Sequence, residues 1–126
     1  MTALDKDRAT AQRAGDLVAD PLAADALIYA GGMYVLAAGL AVSAAGASGG
    51  VVRAVARVRA DAANGDAVVQ GKLGVFRFAN DGDAIARQDI GADAFAVDDQ
   101  TVALSGAVKA GVVVDIDDAG VWVRIG

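Results

Sequence analysis

The run DIDDAG places Asp115, Asp117 and Asp118 ahead of Gly120, the densest set of oxygen donors in the chain. Alternate carboxylates in a tight loop can supply several of the oxygens that calcium requires. The pattern goes no further, because an EF-hand needs a bidentate Glu later in its loop and flanking helices, whereas Val121 to Ile125 (VWVRI) alternates as a strand. A hairpin turn is the predicted role. Asp81-Gly82-Asp83 and Asp98-Asp99 read the same way, since Asp stabilises turns through bonds to its own backbone neighbourhood. Paired carboxylates serve acid/base chemistry only within a shared pocket, and no pair here is placed in one by its spacing. The sequence contains neither Cys nor His. Disulfides, Cys or His zinc sites, thiol nucleophiles and triads built on His are thereby excluded. No G-x-G-x-x-G or G-K-[ST] run is present to cradle a phosphate. No catalytic residue, cofactor or metal ion is therefore expected, and the chain does not read as an enzyme.

The elements that would carry such residues are short. All 16 acidic residues are Asp, and they are accompanied by 16 Gly and a single Pro among 126 residues, a composition that favours many short strands over long helices. The net charge of −5 argues against a nucleic-acid footprint spread over the surface. Ala and Val dominate the apolar residues, so the core is thin, and association with copies of itself or with a larger partner is expected to add stability.

Leu27 to Gly50, LIYAGGMYVLAAGLAVSAAGASGG, has no charge and is long enough to span a bilayer as a helix. Its upstream flank is acidic, without a basic cluster, and Gly31-Gly32 would weaken a helix near its start. Strands are favoured: Leu27 to Ala30 and Met33 to Ala37 as a hairpin across Gly31-Gly32, then a turn at Gly39, Leu40 to Val42, and a loop from Ala44 to Gly50. A membrane helix around residues 27–47 is the alternative. The lack of any polar face predicts that part of Leu27 to Val42 is buried between subunits.

Residues 1–20 are polar and mixed in charge and read as an N-terminal arm, with Pro21 fixing the entry into a domain over residues 21–126. VVRAVARVR, from Val51 to Arg59, alternates so that Val52, Ala54, Ala56 and Val58 share one face and Arg53, Arg57 and Arg59 form a basic stripe on the other. LGVFRFA puts Phe76 and Phe78 together in the core with Arg77 pointing away. AIARQDIGA is expected to form one or two helical turns ended by Gly91. Strands follow at Phe95 to Val97, Thr101 to Leu104, Val112 to Ile116 and Val121 to Ile125. The fold class is all-β: a small barrel or sandwich of short strands with an extended arm and at most one short helix.

Several strings together carry a resemblance: MTALDKDR with RAGD, IYAGGMYVLAAG, GVFRFAN, IARQDIG with VDDQTVA, and AGVVVDIDDAGVWV. They resemble the small head proteins of Mu-like transposable tailed phages and, more distantly, the β-barrel capsid decoration, or cement, proteins of tailed phages. The resemblance implies a virion protein on the outer surface of the capsid, assembled in the host cytoplasm. It further implies a homotrimer that bridges major capsid protein subunits, with no enzyme activity and with neither nucleic acid nor membrane as a partner. The residues expected to meet the capsid are Leu4, Arg8 and Arg13 of the arm and Arg53, Arg57 and Arg59 of the basic stripe. A virion-surface sugar-binding module, stacking glycans on Trp122 or Tyr34, is a further alternative.

Overall fold

The computed structural model describes residues 2–126; Met1, the first residue of the predicted arm, lies outside the described residues. The strands run β1 Leu17–Pro21, β2 Leu27–Ile28, β3 Met33–Ala37, β4 Leu40–Ser43, β5 Gly50–Ala56 and β6 Ala60–Asp61 in the first half. The second half holds β7 Val68–Lys72, β8 Gly74–Asn80, β9 Asp93–Ala96, β10 Thr101–Ala103, β11 Val108–Asp117 and β12 Gly120–Ile125. The helical content among the described residues is four three-residue 3-10 turns, one of them at Arg87–Asp89 within the predicted helical run. The fold is all-β.

Strands β11, β12, β8, β10 and β9 follow one another by pairing, and β9 pairs back onto β11 to close a small barrel. The β11–β12 hairpin turns at Asp118-Ala119, as DIDDAG predicts, with Asp117 opposite Gly120. A second sheet, ordered β1-β7-β5-β3-β4, is joined to the barrel through the parallel pairing of β5 with β11. It curls until Leu22, just past β1, bridges to Ala41 of β4. Pro21 sits at the end of an edge strand, where its missing N–H costs no ladder bond.

Each sheet wraps a core. The barrel encloses Phe78, Val102, Val113, Val121, Val123 and Ile125, and this cluster extends to Met33, Val35, Val52 and Val55 of the adjoining wall. The other face of that wall contributes Tyr34, Ala54 and Ala56 to a smaller cluster with Ile28 and Val69. Strand β3 thus lies between two cores. Met33, Tyr34 and Val35 are all buried, which explains an apolar strand with no polar face. The burial predicted to need a second subunit is supplied within one chain, while Leu36 and Leu40 near the hairpin tip are exposed.

Three sequence expectations are corrected. Gly31-Gly32 does not join a hairpin: β2 pairs with β6, and β3 pairs with β4 and β5. The turn that does make a hairpin is Ala38-Gly39, with positive φ at both residues (50° and 83°). The arm ends before residue 20, because Leu17 to Asp20 already pair with Val69 to Lys72 of β7. The alternation of β5 is broken by a bulge: Tyr34 opposes Ala54 and Val35 opposes Val52, leaving Arg53 as the extra residue. Val52 is thereby sent to the barrel core while Ala54 and Ala56 face the other, and Val58 lies beyond the strand, exposed.

The segment read as an alternative membrane helix is made of strands β2, β3 and β4 and a 3-10 turn at Ala44–Gly46. Among the described residues no helix is long and apolar enough to cross a membrane.

Candidate interaction surface

The bulge decides where the first arginine goes. The guanidinium of Arg53 lies over the wall of the smaller core, where Nε is 3.1 Å from Oδ2 of Asp20 and Nη2 is 3.3 Å from Oδ1. Asp20 is only 6% exposed, and its Oδ2 also accepts the Tyr34 hydroxyl at 2.8 Å. Burial, then the Asp20 carboxylate, raises the Tyr34 phenol well above its ordinary value, so its proton stays on as a donor. Gly71 makes room for this pair, since a Cβ there would collide with the Tyr34 hydroxyl. No buried side-chain polar atom among the described residues lacks a partner.

Arg57 follows the end of β5, where its N–H donates to the Gln70 carbonyl at 2.8 Å. Arg59 leaves in another direction, its guanidinium 5.4 Å from the Tyr29 ring centroid and 3.9 Å from Oδ2 of Asp61. The predicted stripe of three arginines is therefore not one surface. In its place Arg53 and Arg57 meet Arg13 of the arm around a concavity of about 460 Å³, floored by Leu17, Val68 and Gln70. Leu4, 72% exposed, and Arg8 lie farther out along the arm, and Thr2 to Asp16 are exposed throughout.

A larger concavity, about 550 Å³, adjoins the first by sharing Arg57, and it lies where the two sheets meet. Lys72 of β7 and Arg77 and Phe76 of β8 line it. Neither Lys72 nor Arg77 is predicted from the sequence as a site residue. The outward direction of Arg77 is legible in LGVFRFA, but the approach of β7 to β5 that brings Lys72 beside Arg57 depends on pairing between distant segments. Asp99 lies in a neighbouring recess with Tyr29 and Gln100.

The remaining candidates are structural. Oδ1 of Asp117 accepts from the N–H groups of Ala119 and Gly120 at 2.8 and 3.1 Å, and Oδ2 accepts Trp122 Nε1 at 2.7 Å. The Trp122 bond, foremost, and these backbone donors hold the Asp117 carboxyl below the usual carboxylate range. Asp115 pairs with Arg87 at 3.2 Å. Among the described residues no three acidic side chains are grouped to hold a metal ion. Tyr34 is wholly buried and cannot stack a sugar, and Trp122 carries the Arg77 guanidinium 5.6 Å from its ring centroid.

No family model matches the chain, and no curated protein or solved structure matches it.

Proposed function

We propose that the chain is a structural virion protein that binds the outer surface of a phage capsid as trimers and stabilises the head by bridging major capsid protein subunits. The resemblance of its sequence strings to small head proteins of Mu-like phages motivates the reading. The observation that carries it is the arm. Thr2 to Asp16 are exposed and contain no strand, and they leave the domain at edge strand β1 beside the concavity of Arg13, Arg53 and Arg57. Fully extended, fifteen residues reach at most about 50 Å, enough to cross onto a neighbouring subunit of a shell. A peptide that orders only on its partner adds contact area, and repetition across a shell multiplies weak contacts. The role is mechanical and requires no catalytic group.

Co-sedimentation with undecorated heads tests this. The full chain is expected to saturate the heads, and deletion of residues 2–16 is expected to raise the concentration needed for half-occupancy at least tenfold (about 1.4 kcal/mol per site) while circular dichroism and melting remain those of the intact domain. Failure of the full chain to sediment with heads, or an unchanged half-occupancy concentration without the arm, would overturn the reading.

A further inference from the structure

Charge is segregated on this molecule. Acidic residues outnumber basic ones 16 to 11, yet the two concavities that share Arg57 are lined by Arg13, Arg53, Arg57, Lys72 and Arg77 and by no carboxylate. Elsewhere Arg59 pairs with Asp61, Arg87 with Asp115 and Lys109 with Asp93, whereas Arg124 on β12 and Lys6 and Arg8 of the arm stand singly without such a partner among the described residues. Within the concavities Arg53 is held by Asp20, and Arg77 lies over Trp122 with its charge reaching Asp117. Arg13, Arg57 and Lys72 have no ion-pair partner among the described residues. Apolar side chains alternate with them, as Leu17 and Val68 are each about half exposed and Phe76 is half buried.

We propose that this groove binds an extended acidic polypeptide segment of a partner protein, its carboxylates pairing with Arg57, Lys72 and Arg13 and its apolar side chains lying on Leu17, Val68 and Phe76. Guanidinium groups present forked donors that match carboxylates, and unpaired cations lose no existing partner when they engage. A nucleic-acid strand fits less well, because net charge opposes both anions alike while a phosphate backbone gains little from the exposed aliphatic side chains of Leu17 and Val68, on which a peptide can lay apolar side chains. The inference rests on charge and shape alone and holds whether or not the partner is a capsid.

The probe is a fluorescein-labelled peptide of Asp with interspersed Leu, followed by anisotropy at low salt against the full chain. Saturable binding that weakens as salt rises is expected, with Arg57→Gln and Lys72→Gln each weakening it roughly three- to tenfold. Arg87→Gln, remote and already paired, is expected to leave it unchanged. Arg57 and Lys72 are exposed, so both variants are expected to melt as the parent does. The proposal is overturned by absence of saturable binding, by Arg57→Gln and Lys72→Gln both binding as the parent does, or by a single-stranded oligonucleotide competing as well as unlabelled peptide. It is equally overturned if the free chain is an oligomer that Arg57→Gln dissociates, since a second copy would then occupy the groove.

Discussion

Asp20 is a buried carboxylate beside Val69, and it is tolerable there because Tyr34 and Arg53 both donate to it. The two donors are not equivalent. The Tyr34 hydroxyl is wholly buried and has no water to turn to, whereas the Arg53 side chain is 35% exposed and can be hydrated when its partner is lost. Asp20→Ala is therefore expected to lower stability by about 2–3 kcal/mol, mostly through the orphaned phenol, with a smaller part from the solvent-screened ion pair. Tyr34→Phe removes one charge-assisted bond but leaves Asp20 with Arg53, at a cost of about 1–2 kcal/mol. Urea denaturation of both variants separates the terms. A loss for Asp20→Ala no larger than that for Tyr34→Phe would be the contrary result.

The β3–β4 hairpin turns on two residues with positive φ, and the first of them is an alanine, Ala38 at φ 50°. A Cβ in the left-handed region costs about 1–2 kcal/mol, which Asn lowers by bonding to its own backbone. Ala38→Asn converts Ala-Gly to Asn-Gly, the sequence that a turn of this kind favours, and is expected to stabilise the chain by about 0.5–1 kcal/mol. Thermal melting checks it, an unchanged or lowered midpoint being the contrary result. Short-range features of this sort were the readable ones: the Gly39 turn, the Asp118-Ala119 hairpin and the barrel strands β8 and β12 all follow from local alternation and turn chemistry. Strand β1 was hidden in the predicted arm because its alternation over Leu17 to Asp20 is short and its partner β7 lies some fifty residues away. Strand β3 shows no alternation because both its faces are buried, and its sequence therefore holds nothing that tells a hairpin across Gly31-Gly32 from pairing with β4 and β5. The bulge at Arg53 leaves no mark in VVRAVARVR, and it is what turns a supposed basic stripe into an ion pair. The same bulge joins Arg53 to a concavity that includes Arg13 and Arg57, whereas Lys72 and Arg77 complete the groove only through non-local pairing.

On the scale of the whole molecule, the decisive feature is a shared wall. Strands β3 and β5 send Met33, Val35, Val52 and Val55 into the barrel core and Tyr34, Ala54 and Ala56 into the smaller one. Neither core can open without exposing part of the other, so the chain is expected to unfold in one step even though its two sheets enclose separate clusters. Two local reporters test this. Trp122, the only tryptophan, follows the closed barrel by fluorescence, and the fluorine resonance of fluorotyrosine at Tyr34 follows the smaller core. Val69→Ala cuts into the smaller core alone and is expected to cost about 2 kcal/mol. If the wall couples the cores, that substitution lowers the urea midpoint seen by Trp122 as much as the midpoint seen at Tyr34. Midpoints that separate, with Trp122 unmoved, would mean that the smaller sheet opens independently and that β3 and β5 stay with the barrel when it does.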